Sequence, residues 1–158
     1  MGGAGWALLR GELWTTGGSV ATTSRLKDIF PGPGGSEPSE LLAFDGRLFF
    51  RACDPTAGCE LWTSDVTLGG TQRFKDILPG TGSGNPQHLV VAGDALYFSA
   101  CDEAAGCELW VSDGTAARTR RLADIAPGPA SSNPIAQVSL LFAVSRMRAQ
   151  PGACSKPV

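Results

Sequence analysis

Apolar residues in this chain fall in short runs, each closed by a polar or glycine-bearing turn. The runs LLAF (41–44) and LVVA (89–92) are followed by Asp45-Gly46 and Gly93-Asp94, two-residue pairs of the kind that join tight hairpins. Next come RLFFRAC and ALYFSAC, then the five-residue loops DPTAG and DEAAG, then CELWTSD and CELWVSD. A Ser-Asp turn leads to TQRFKDI or TRRLADI, and a Pro/Gly/Ser connector ends the unit. Four short strands per unit are predicted.

The units repeat. Glu-Leu-Trp occurs at 12–14, 60–62 and 108–110, a period of 48 residues. KDIFPG from Lys27, KDILPG from Lys75 and ADIAPG from Ala123 keep that period, as do the pairs Cys53/Cys59 and Cys101/Cys107. Roughly twenty of about thirty positions agree between 48–80 and 96–128, which excludes coincidence. If Cys53 faces Cys59, then Phe50 pairs with Trp62 and Ala52 with Glu60, while Phe49 and Leu61 lie on the opposite face. In the next unit Phe98 and Trp110 share one face, and Tyr97, Leu109 and Val111 share the other. A sheet wet on one side alternates between apolar and polar positions; these strands carry bulky apolar groups on both. The expectation is an all-β chain, a partial β-propeller of four-stranded antiparallel blades. It divides into repeats over 1–134 (a half unit 8–29 and whole units 41–77 and 89–125) and a non-repeat tail, 135–158. About two and a half units, against the four to eight blades of a closed propeller, predict a fragment of something larger.

The consensus FFxAxDxxxGxELWxSDGTxxGTxxxKDIxPGPxSSxP, strongest in ELWVSDGT at 108–115 and KDILPG at 75–80, resembles the ELWxxDGT-type (hyalin-like) repeats of bacterial extracellular proteins. The resemblance covers residues 8–134 and implies an extracellular or surface-attached propeller without assigned catalysis. Thr16-Gly17-Gly18-Ser19 departs from the Ser-Asp-Gly-Thr turn in the first copy, and Val66 replaces its glycine in the second. The cysteines stand where the family more often has polar loop residues.

Composition narrows the function classes. With 21 Gly and 11 Pro, about a fifth of the chain punctuates strands. A formal net charge of -2 and 18% charged residues give no electrostatic basis for nucleic-acid binding. The apolar stretch 135–144 is far short of the ~20 residues of a membrane-spanning helix, so no membrane insertion is expected. No signal peptide is visible in these residues.

The C-x5-C pairs are wider than zinc knuckles, and His88 is the only histidine available to help. Cross-strand disulfides, Cys53–Cys59 and Cys101–Cys107, are the favoured reading, with buried structural thiols and metal ligation as competitors. Disulfides persist outside the reducing cytosol. Cys154 is left unpaired in the tail. Trp14, Trp62 and Trp110 hold one repeat position and are expected in the blade core with Phe50 and Phe98, although indoles also stack on sugars. Asp45, Gly46, Asp65, Asp113 and Gly114 are expected to build turns, not calcium sites, since no EF-hand-like ligand series occurs. No catalytic dyad, phosphate loop or zinc-protease pattern is present, so no enzyme activity, cofactor or metal is expected. The partner is expected to be a protein or, in a lectin-like alternative, a glycan. Open blade edges predict self-association.

Overall fold

A computed structural model describes residues 11–135. Ten strands form three antiparallel sheets, and among the described residues there is no α-helix, only 3-10 turns at Val20–Thr22 and Ala116–Arg118. The first sheet pairs β1 (Leu13–Thr15) with β2 (Ser24–Lys27). The second runs in chain order through β3 (Ser39–Phe44), β4 (Arg47–Asp54), β5 (Gly58–Ser64) and β6 (Gln72–Lys75). The third repeats it with β7 (Gln87–Ala92), β8 (Ala95–Asp102), β9 (Gly106–Ser112) and β10 (Arg120–Arg121). The tail from residue 136 onward, Cys154 within it, and residues 8–10 of the half unit lie outside the described residues.

Register follows from the turns. Asp45 (φ 49°) and Gly46 (φ 69°) both take the left-handed conformation that a type I′ hairpin demands, so Phe44 pairs with Arg47. From there β4 and β5 align Phe50 with Trp62, Ala52 with Glu60 and Cys53 with Cys59, and β8 and β9 reproduce this with Phe98, Ala100 and Cys101. The first strand of each whole unit carries a register shift, between Ser39 and Leu42 and between Gln87 and Val90. Glu40 (φ 58°) and His88 (φ 55°) lie within those shifts.

The sheets stack through alternate strand positions. One face of the second sheet (Phe50, Ala52, Trp62) packs with Leu13 and Ile29 of the first unit. Its other face (Phe49, Leu61) packs with Ile77 against Leu96, Phe98, Ala100 and Trp110 of the third sheet. The second sheet is therefore apolar on both sides because it is covered on both. Polar ties run across the stack as well: Lys27 Nζ donates to Thr71 O (2.5 Å), Lys75 Nζ to Ala116 O (3.4 Å), and the Leu89 N–H to Glu40 Oε2 (3.2 Å).

The turn between the third and fourth strands of each unit survives its sequence changes. In every copy a hydroxyl accepts the N–H two residues on: Thr16 from Gly18 (3.1 Å), Ser64 from Val66 (2.9 Å), Ser112 from Gly114 (3.1 Å). The same hydroxyl pairs at 2.7 Å with a threonine seven residues downstream, Thr23, Thr71 or Thr119. The middle residue of this turn is left-handed in all three copies, with φ 90° at Gly18, 67° at Val66 and 89° at Gly114. Only the second copy forces a β-branched side chain into that region. A left-handed residue with a Cβ costs about 1–2 kcal/mol, while glycine returns about 0.5–1 kcal/mol of that in unfolded-state freedom. Val66 is exposed, so no packing is lost by removing it. Val66→Gly is expected to raise stability by about 0.5–1 kcal/mol, read as a higher urea midpoint with an unchanged slope.

Candidate functional site

The glutamate of each Glu-Leu-Trp is the polar centre of its unit. It sits on the third strand, pointing into the sheet stack at 6% exposure for Glu12 and 0% for Glu60 and Glu108. The Pro/Gly connector folds back over it and delivers backbone donors. Glu12 accepts from the N–H groups of Ile29 (2.9 Å), Phe30 (3.1 Å) and Ser36 (3.2 Å), and from the Ser36 hydroxyl (2.7 Å). Glu108 repeats the set with Ile125, Ala126 and Ser132, including the Ser132 hydroxyl at 2.6 Å. Glu60 accepts from Ile77 (2.8 Å), Leu78 (3.2 Å) and Gly84 (2.8 Å), and the hydroxyl is missing because the serine position is Gly84. A Cβ there would lie 2.7 Å from Ile77 Cβ and 2.8 Å from Glu60 Oε2, so the covered unit has closed on the space a serine uses.

That difference reappears in the acidities. Burial pushes the Glu60 carboxyl up; the N–H groups of Ile77, Gly84 and Leu78 pull it back, Asp76 opposes them, and the net shift is upward. Burial also acts on Glu108, but the Ser132 hydroxyl and the N–H groups of Ile125, Ser132 and Ala126 outweigh it, and its pKa falls below the ordinary carboxyl value.

A second recurrent arrangement closes the hairpin between the second and third strands. Asp54 accepts from the Thr56 N–H (2.7 Å), the Thr56 hydroxyl (2.5 Å) and the Ala57 N–H (3.0 Å), and its other oxygen takes Arg73 at 3.1 Å. Burial raises this carboxyl, yet the Thr56 and Ala57 bonds and the Arg73 charge leave it lowered. Asp102 is held by the same contacts, accepting from the Ala104 and Ala105 N–H groups and pairing with Arg121. Beside these loops Cys53–Cys59 and Cys101–Cys107 are joined as disulfides, each between directly opposed residues. The turn aspartates are the exposed equivalent: Asp65 accepts from Thr67 and Asp113 from Thr115, through both N–H and hydroxyl. Those threonine hydroxyls, first among the causes, lower both carboxyls.

The aromatic positions separate. Phe50 and Phe98 are fully buried, and Trp62 (6%) and Trp110 (7%) pack with them. The Trp110 indole N–H donates to Ala100 O at 3.0 Å, whereas buried Trp62 Nε1 has no acceptor. Trp14 corrects the core expectation: it is 44% exposed. Its strand, β1, pairs only with β2 among the described residues, so no equivalent of Phe50 or Phe98 lies opposite to cover it. It lines instead a cavity of about 860 Å3 shared with Glu37, Leu41 and Arg51. Among the described residues no group of three His, Cys, Asp or Glu side chains is placed to hold a metal ion.

The aspartate–arginine pairs and the glutamate centres are the recurrent geometry that sequence reasoning missed. Arg73 and Arg121 share a repeat position, as do Asp54 and Asp102, and the constant separation of 19 residues was the available signal. Comparison with protein-family models, curated proteins and solved structures finds no match to this chain.

Removing the Glu60 carboxylate by Glu60→Ala strips the N–H groups of Ile77, Gly84 and half-buried Leu78 of their acceptor. At about 1–3 kcal/mol per orphaned group the expected loss is about 3 kcal/mol or more, read by urea unfolding. The pH dependence has a definite sign. Because the folded-state Glu60 carboxyl is raised, the folded protein holds that proton to higher pH than the unfolded chain, and stability from this group falls as pH rises above 4.5. Glu60→Gln lacks that titration while sharing every other one. The stability of the wild type relative to this variant is expected to shrink as pH rises above 4.5. Asp54 and Glu108, lowered in the fold, act oppositely: their contribution is present above their unfolded values and lost as the pH drops through the folded ones.

Proposed function

We propose that the chain is a run of stacked β-propeller blades of the ELWxxDGT type, serving as a non-catalytic structural or protein-interaction module of an exported or surface-attached bacterial protein. The observation that carries this reading is the repetition of whole units. Two four-stranded sheets with the same strand order and register stack face to face. The recurrent carboxylates of the units accept hydrogen bonds within their own unit. Side chains so engaged hold a scaffold; a general acid or base needs a proton path to a substrate. Disulfides that close hairpins support an oxidising compartment.

A lectin-like reading has one observation in its favour. Trp14 offers an indole face in a cavity that also presents Glu37 and Arg51, an apolar platform beside hydrogen-bonding groups. Calorimetric titration with neutral and acidic oligosaccharides separates the two: saccharide heat in the wild type that vanishes in Trp14→Ala would establish the glycan reading.

For the main reading, mass mapping of non-reduced peptides from protein made in an oxidising compartment is expected to find both links. Reduction is expected to lower stability by about 2 kcal/mol per link in the chain-entropy model. A reduced protein as stable as the oxidised one, or links between units, would remove the support for an exported module.

A further inference from the structure

Among the described residues the stack presents two unlike apolar faces, and each matches a half of the interface already used inside the chain. Three repeat positions trace one half. Leu13, Leu26 and Ile29 of the first unit pack beneath the second sheet, and Leu61, Phe74 and Ile77 of the second unit pack beneath the third. Their equivalents in the third unit have no sheet over them among the described residues: Leu122 is 40% and Ile125 53% exposed, against 5% for Ile77. The other half is the tryptophan-bearing face. Trp62 serves the first junction and Trp110 the second, while Trp14, at the same repeat position, remains 44% exposed at the opposite end.

We infer that the face of Leu122 and Ile125 docks the Trp14 face of a second copy of this chain. The occupant follows from the two junctions within the chain, which both set the Leu/Ile half of one unit against the tryptophan half of the next. Among the described residues only the third unit's Leu/Ile half and the first unit's tryptophan half stand open. The contact is head-to-tail, joining different patches on the two copies, so it propagates until a ring closes or a filament grows. Exposed apolar sheet faces and strand edges supply the drive. The inference rests on the stacked-unit reading above.

Two variants, each disabling one end at exposed positions, test it: Trp14→Asp, and Leu122→Asp with Ile125→Asp. Light scattering after size exclusion at tens of micromolar is expected to show wild-type species larger than one chain. Each variant alone should run as a single chain, because its intact face finds no complement. An equimolar mixture of the two should restore a dimer of one copy of each, since one intact Trp14 face then meets one intact Leu122/Ile125 face. A folded wild-type monomer overturns the inference. So does a variant that still self-associates alone, which would mean like faces pair, or a mixture that stays monomeric beside an oligomeric wild type. Circular dichroism on the same samples keeps the two readings apart: loss of the strand spectrum in the wild type counts against the stacked units themselves. Trp14→Arg and Ile125→Lys repeat the test where an aspartate variant fails to fold.

Discussion

The crossing from one sheet to the next rests on a buried carboxylate that takes its hydrogen bonds from N–H and O–H donors of the connector. A Pro/Gly connector must cross from the last strand of one sheet to the first strand of the next, and such a segment has no ladder in which to place its own N–H groups. The glutamate of Glu-Leu-Trp supplies the acceptors, at separations of 17, 18 and 24 residues in all three units. Both of its oxygens accept, so an amide of the same shape would present a donor to a donor. The two-sided acceptor is therefore structural. It fixes where the connector leaves one sheet, and so where the next sheet begins.

Given that anchor, identical residues meet different fates according to what lies over them. Ile29 and Ile77 are buried, and Ile125 is half exposed, on the same local backbone plan. The same holds for the carboxylates. Glu60, in the unit covered on both sides, sits against Gly84, where a Cβ has no room, so it lacks a hydroxyl donor, and its pKa shifts opposite to that of Glu108. Position in the repeat sets the geometry, and position in the stack sets the energetics.

This explains what was legible in the residues. Strand limits, hairpin registers and the opposed cysteines are local consequences of turns such as Asp45-Gly46, and alternation counted outward from the turn places Phe50 on Trp62. The glutamate centres were hidden because sequence alternation puts Glu60 beside Ala52 in the sheet without telling which backbone will fold over it. Arg73 and Asp54 recur at fixed spacing, but pairing them requires knowing that the fourth strand returns alongside the hairpin loop. Trp14 was misplaced for the opposite reason: repeat equivalence transmits a side chain's direction, while its burial belongs to the neighbour. The repeat period carried the architecture, and the end effects lay outside what a period can encode.

The disulfides close over a separation of only six residues, within one hairpin. Each correct partner is thus the nearest cysteine along the chain, and no unit waits on another for its sulfur. A polypeptide emerging N-terminus first, from a ribosome or through a narrow pore, can oxidise one hairpin at a time as each clears the exit. Duplicating or deleting a 48-residue unit would carry a complete sulfur pair with it, leaving no orphan thiol to be matched elsewhere. Length can then vary in such an array without any rewiring of its covalent cross-links.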